Sequence, residues 1–185
     1  MSDWFETLEG LHAQVWQRLS RGVADRRAPA RQPTLATVSP DGWPEARTVV
    51  LRRAVPSDAL LEVYTDSASD KIGSLTAHPR AALHVWEPKL DLQIRMQADV
   101  TLLQGNPVSD RWEPLPDVAR LSYGVVPPPG TPIPDALEYE KSPDQSRFCV
   151  LSLALTHIDV VHLGDHHRRA SFVATDGWSG QWSAP

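Results

Sequence analysis

The stretch EARTVVLRRAVPSDALLEVYTDSASDK, Glu45 to Lys71, decides how the rest of the chain reads. Two β-rich runs flank a loop. The first carries Arg47, Arg52 and Arg53, and the second ends on Tyr64-Thr65. A Ser/Asp-rich turn then closes on Lys71. Cationic side chains, hydroxyls and turn amides gathered in one hairpin-sized unit are what an anion such as a phosphate monoester requires. The same residues also suit an ordinary hairpin with solvated ends, because Arg and Lys are normally surface residues. Arg47 and Arg52 lie five apart, so a regular strand sends them to opposite faces. Either a bulge intervenes or only one of them reaches the anion.

Working outward, Thr34 to Ser39 alternates, and Pro40-Asp41-Gly42 signals a turn. PEARTVVLRR resumes as strand, which makes a hairpin. Leu60 to Asp66 is a further strand. Ser69 to Ala77 reads as a short helix with Ser69 at its N-cap, stopped by His78-Pro79. Ala81 to Glu87 and Leu90 to Leu103 are strands. The second places Gln93, Arg95 and Gln97 on one face and Leu92, Ile94, Met96 and Ala98 on the other. Residues 104 to 135 form a proline-rich loop with a helical turn at Val118 to Tyr123, and VVPPPGTPIP lies extended over a surface. Phe148 to Leu155, HIDVVHL and RRASFVAT are strands within the C-terminal stretch 148–185, and GWSGQWSAP closes the chain.

Upstream, Trp4, Phe5, Leu8, Leu11, Val15 and Leu19 recur at helical spacing. Asp3 and Glu6 form a variant capping box. The spacing predicts an amphipathic helix over 3–20, within an N-terminal helical segment 1–22. Residues 21–33 (RGVADRRAPARQP) form a polar connector whose arginines could meet an anion or simply be solvated. The fold class is mainly β (α+β), an antiparallel barrel of six to eight strands with an N-terminal helix and short peripheral helices.

Length and composition fit one domain over 1–185, with the core barrel and anion site in 34–103. Lys and Arg number 18 against 23 Asp and Glu, a net charge of −5, which speaks against a nucleic-acid partner. The N-terminus has the form of neither a signal peptide nor a membrane anchor, and no apolar run approaches bilayer length. The lone Cys149 makes no internal disulfide. A cytoplasmic location with no membrane partner is expected.

The order Arg47-Thr-Val-Val-Leu-Arg52, Tyr64-Thr65, Ser69-Asp-Lys71 and Leu92-Gln93-Ile-Arg95, with HPRAALHVWEP between, resembles the pyridoxamine 5′-phosphate oxidase superfamily of split β-barrel, FMN-binding proteins. The resemblance covers residues 34 to 97, about one third of the chain, and is weaker in the C-terminal third. It implies that Arg47 and Lys71 hold the flavin phosphate with Ser69 beside it. It also implies that the run Arg47, Thr48, Val49, Val50, Leu51, Arg52 lies along the isoalloxazine ring, largely through its main chain. Tyr64 and Thr65 would pack against and hydrogen-bond the cofactor, and Gln93 would bond the polar edge of the ring. Arg168, near the family's C-terminal arginine, becomes a substrate candidate. The family arrangement implies a homodimer with the flavin at the subunit interface, a small-molecule substrate and hydride transfer at flavin N5.

The chain departs from the oxidases in places. Asp70 stands where Arg is frequent, and HLGDHHRRASF lacks most of the Trp-Gln-Gly…Arg hairpin. The Tyr-x-x-x-Arg-x-x-x-Ser substrate-phosphate pattern is missing too, since Arg111 has Pro107 and Leu115 at the matching offsets. These features resemble the general FMN-binding branch more than the true oxidases.

Two further classes compete. A flavin-binding protein without turnover uses the same fold. A metal or haem module could use His157, His162, His166 and His167 with Asp159 and Asp165, although a polar hairpin explains them without metal. Cys149, in FCVLSLAL, reads as a small buried hydrophobe. Trp43, Trp86, Trp112, Trp178 and Trp182 read as core or interface residues, with Trp178, Trp182 and Tyr123 as candidates to cover a flavin or substrate.

Overall fold

The computed structural model describes residues 3–185. A 3₁₀ turn at Trp4–Glu6 precedes helix α1 (Leu8–Ala24). The expected Asp3–Glu6 capping box does not form. Thr7 is extended and its hydroxyl accepts from the Gly10 amide at 3.0 Å, so the helix starts at Leu8, five residues later, and runs to Ala24. Gly10 makes room for this, since a Cβ there would sit 2.1 Å from the Trp4 carbonyl oxygen. Leu11, Val15 and Leu19 are fully buried along one stripe of α1, and the helix packs chiefly on the strand Leu51–Val55. Burying each such side chain contributes about 1.5–3 kcal/mol, so the three together outweigh the cap, worth about 0.5–2 kcal/mol.

Strands β1 (Thr34–Val38) and β2 (Pro44–Thr48) form the expected hairpin. The predicted single strand through Arg53 is in fact two. The Val49 amide still donates to the Pro33 carbonyl at 3.0 Å, in register with the Thr34–Thr48 pair, but Pro33 has no N–H to return the bond and the β1–β2 ladder ends there. β3 (Leu51–Val55) pairs instead with β4 (Leu60–Asp66), through a register shift between Leu51 and Arg53. This break answers the parity problem, because Arg47 and Arg52 no longer share one strand.

Helix α2 is Asp70–Ala77, followed by β5 (Arg80–Glu87) and β6 (Leu92–Gln104). Along β6, Leu92, Ile94, Met96 and Ala98 point into the core, as the alternation predicts. Short helices α3 (Ser109–Trp112) and α4 (Asp117–Arg120) follow. β7 (Val125–Val126), inside the stretch expected as an extended proline-rich loop, then pairs with β8 (Glu140–Lys141) beyond it.

The two strands expected after Phe148 are one, β9 (Phe148–His162), joined to β10 (Arg168–Val173) and β11 (Gln181–Ser183). β9 is the spine of the molecule. β6 lies along one edge for its whole length, while the other edge pairs first with β4 (Phe148 to Ala154) and then with β10 (His157 to His162). Thr156 is the extra residue at this change of partner, since Gln97 faces His157 and Ala98 faces Leu155. A bulge of this kind bends a long strand so that it can serve two sheets. The described residues thus hold eleven strands, against the six to eight expected; the split after Thr48, the β7–β8 ladder and β11 add strands, and the fusion into β9 removes one.

A second apolar cluster, with Val108, Trp112, Tyr123, Phe148 and Val150 buried, fastens the 105–124 segment to the barrel. No helix among the described residues is long and apolar enough to cross a membrane.

Candidate cofactor cleft

The end of β4, the turn into α2 and the split between β2 and β3 converge on a cleft of about 340 Å³. Arg47, Thr48, Val49, Val50 and Arg52 line one side. Tyr64, Thr65, Asp66, Ser69 and Lys71 line the other, and Ser122, Tyr123 and Pro129 cover it from the insertion. The organising stretch therefore folds into a single site.

At the polar end, Lys71 Nζ donates to Thr65 Oγ1 and to Ser69 Oγ, both at 3.0 Å. Ser69 is the N-cap of α2 by position, but its hydroxyl donates to the Asp66 carbonyl at 2.7 Å and caps no helix amide. That bond uses the only Ser69 hydroxyl proton, so Ser69 positions Lys71, while Thr65 retains a hydroxyl proton for Ser69, 3.1 Å away, or for a ligand. An ammonium has three donors, which leaves one on Lys71. Burial, and then the positive Arg47, push the Lys71 pKa down, with Asp70 and Asp66 opposing. The spare Lys71 donor beside a second cation, Arg47, makes this end of the cleft a prepared anion site.

Arg47 is itself fixed. Its guanidinium donates to Thr37 Oγ1 at 2.5 Å and to Glu45 Oε2 at 2.8 Å, and Ser74 donates to the same carboxylate oxygen at 3.0 Å. These bonds hold the Glu45 carboxyl below the usual range, Ser74 acting most strongly and then Arg47. Glu45 and Ser74 were not singled out in the sequence; the only signal was Glu45 two residues before an arginine on the same strand face.

The other end of the cleft is aromatic. The Arg52 guanidinium lies 5.9 Å from the centre of the Tyr64 ring, and its Nε is buried without a partner. Tyr64 is pushed up to about 12, by burial and then by Glu62. Tyr123, 3% exposed, is also raised by burial, with Arg52 pulling in the opposite direction.

Three candidates lie elsewhere. The Leu51 side chain is fully buried in the core. Gln93 projects from the outer face of β6, beside Trp86, and does not line the cleft. Arg168 lies at the far end of the β9–β10 hairpin, stacked 4.7 Å from the centre of the Phe5 ring.

The histidines do not converge either. Buried His162 stacks on Phe5 at 4.4 Å, and among the described residues no three His, Cys, Asp or Glu side chains form a metal-sized group. Cys149 is buried and its thiol is pushed up by that burial. Of the tryptophans, Trp112 is buried, whereas Trp43 is 74% exposed.

Sequence reasoning missed Asp66. This carboxylate, 5% exposed, accepts from Arg147 Nε at 2.8 Å, the Ala68 amide at 2.8 Å and the Gly124 amide at 2.9 Å. It ties the 122–124 wall of the cleft to β4. Arg111 is committed to Glu62 and Asp110.

The residues present suit FMN. A phosphate fits the Lys71–Arg47 end with Thr65 as a further donor, and the unpartnered Arg52 Nε and the two tyrosines lie along the rest of the cleft.

Residues 13–104 match the family model described as pyridoxamine 5′-phosphate oxidase, FMN-binding domain. A pyridoxine/pyridoxamine 5′-phosphate oxidase of Rhodopseudomonas palustris is 31% identical over 79% of this chain and 59% of its own length. One from Thermosynechococcus vestitus is 36% identical over 43% of this chain and 41% of its own length. The chain thus spans only about half the length of the curated relatives it matches. A crystal structure of a pyridoxamine 5′-phosphate oxidase-related, FMN-binding protein from Nostoc punctiforme superposes with a TM-score of 0.76 at 29% identity, covering 94% of this chain and 96% of that one. PhzG from Burkholderia lata shares the fold, with a TM-score of 0.73 at 16% identity over 94% of this chain and 91% of its own. The chain belongs to the pyridoxamine 5′-phosphate oxidase-like FMN-binding proteins of split β-barrel fold, and FMN is the cofactor of that family.

Proposed function

We propose that the protein is an FMN-dependent oxidoreductase that works as a homodimer on a small anionic substrate other than pyridoxamine phosphate. The observation that carries this reading is the Lys71–Thr65–Ser69–Arg47 cluster at the closed end of a cleft lined on one side by the strip Thr48 to Val50. When bound there, FMN supplies hydride transfer at its ring N5. Lys71 and Arg47 neutralise the phosphate, and Thr65 donates to it. Ser69 and Glu45 keep the two cations in place. Tyr64, Tyr123 and Pro129 exclude water from the ring end.

Gln93 supports the dimer. It stands on an outward face with Arg95 and Gln97, so it meets a cleft only if that cleft belongs to a second copy. Arg52, a cation that lines the cleft beside Tyr64 and Tyr123 and whose Nε has no partner, favours an anionic substrate group. The engagement of Arg111 with Glu62 and Asp110, together with the missing substrate-phosphate pattern, argues against pyridoxamine phosphate.

The test is the visible spectrum of the purified protein with chromatography of the released chromophore, followed by NAD(P)H and an electron acceptor. Stoichiometric FMN and turnover support the proposal. Stoichiometric FMN without reduction by any donor leaves a flavin-binding protein, and failure to bind added FMN removes the reading.

A further inference from the structure

A second cavity, of about 650 Å³, lies away from the cofactor cleft, between the end of α1, the connector after it and the turn joining β5 to β6. Its volume is within the range of small-molecule sites, roughly 300–1,000 Å³. Four cationic side chains line it: Arg18, Arg21, Arg27 and Lys89, against the carboxylates of Asp25 and Glu87.

Part of this charge has a structural explanation. Arg21 pairs with Asp25 at 3.3 Å in the last turn of α1, where a cation also favours the helix dipole. Arg18, Arg27 and Lys89 have no such partner. Among the described residues none of the three lies within ion-pair distance of a carboxylate.

Glu87 is the decisive residue. It is only 4% exposed, it lines the cavity, and its Oε1 is buried without a hydrogen-bond partner, so a ligand reaches that oxygen when the side chain turns into the cavity. Burial pushes its pKa up, with Arg18, the Ala30 amide and Arg21 opposing. A buried carboxylate oxygen left unpaired is costly, and unpaired buried polar atoms are rare in folded proteins. Leu90 and Pro29 give the same cavity an apolar part. A ligand that answers all three features carries an anionic group for the unpaired cations, a hydroxyl donor for Glu87 Oε1 and a small non-polar skeleton between them.

We propose that this cavity is a second ligand site, for a phosphate monoester that bears hydroxyl groups, with the phosphate held by Arg18, Arg27 and Lys89 and a hydroxyl donated to Glu87. A sugar phosphate and a nucleoside monophosphate both present that chemistry. The site is independent of the flavin reading, because no residue is shared between the two cavities.

The experiment is calorimetric titration of the full-length protein, preincubated with excess FMN so that the first cleft is filled, with ribose 5-phosphate and, separately, AMP and inorganic phosphate. One saturable site per chain is expected for at least one of the two esters, which separates the sources, and weaker binding of inorganic phosphate. An Arg18→Ala/Arg27→Ala variant should weaken the ester about tenfold or more, as expected for loss of charge-assisted bonds. Glu87→Gln should weaken the ester while leaving inorganic phosphate unchanged, because only the ester carries the hydroxyl. Thermal melts of both variants establish that they fold, and Lys89→Ala, at an exposed turn, repeats the charge test without touching α1. No saturable heat with either ester, or binding indifferent to these substitutions, overturns the proposal.

Discussion

Replacing Asp66 by Asn tests whether one carboxylate holds the wall of the cofactor cleft. Oδ1 accepts from Arg147 Nε and the Ala68 amide, and Oδ2 accepts from the Gly124 amide. An asparagine has the same shape but a single acceptor oxygen. Two donors and an ion pair claim the Oδ1 position, so the Asn NH₂ turns toward the Gly124 N–H, donor against donor. Gly124 is buried, and a buried amide left unsatisfied costs about 1–3 kcal/mol. Removing one partner of a buried ion pair costs about 3–5 kcal/mol. The Arg147 side chain keeps 20% of its exposure, so water recovers part of this and the lower end applies. The expected loss is about 3 kcal/mol, or about 6–12 °C in Tm for a domain of this size. Thermal unfolding followed by circular dichroism measures it. Because Gly124 adjoins Tyr123, the FMN dissociation constant should rise as well. A variant melting within about 1 °C of the parent and binding FMN equally well refutes the reasoning.

Three other outcomes follow from the same geometry. The Lys71 pKa lies below its ordinary value in the empty cleft, and a phosphate dianion favours the ammonium form, so binding takes up protons at alkaline pH. FMN affinity, followed by flavin fluorescence, should fall as pH rises through the empty-site pKa, and an affinity that rises instead contradicts the assignment. Gly22→Ala should destabilise by about 1 kcal/mol or more despite the better helix propensity of Ala, because the added Cβ would lie 2.6 Å from the Ala30 carbonyl group; denaturant titration reads the sign. Burial, with Arg168 adding to it and Asp91 opposing, holds the His162 pKa below its unfolded value. The unfolded chain therefore takes up the proton first, and stability should decline as pH falls below about 6.5. His162→Phe should flatten part of that slope in urea melts, with half-buried His12, lowered by its own desolvation, supplying another part.

Much of the architecture was legible because it rests on local signals. The β6 alternation set the buried face, and the Pro40-Asp41-Gly42 turn set the first hairpin. The Ser69-x-Lys71 turn gave the cation its hydroxyl partners. What the sequence hid depends on contacts between distant segments. Nothing within PEARTVVLRR says that its partner strand gives out at Pro33, which has no N–H to return the Val49 bond, so that the run splits there. β9 reads as two strands because Thr156 interrupts the alternation, yet its continuous partner β6 carries it through. Asp66 looks like a turn residue, and its role appears only when Gly124 and Arg147, both far along the chain, fold onto it. The 104–135 segment could not be placed because its anchors, Trp112 and Tyr123, pack on Phe148 from a different part of the chain.

The central claim is that the Arg47–Lys71 end of the cleft recognises a phosphate, and titrating the apoprotein with FMN and with riboflavin tests it most directly, since the two differ only in that group. Each charge-assisted contact is worth about 1.5–3 kcal/mol, so FMN should bind about 100-fold or more tightly, and an Arg47→Ala/Lys71→Ala variant should lose most of that preference, keeping only the part that Thr65 supplies. Equal affinity in the parent protein, or a preference for FMN undiminished in the variant, would contradict the account.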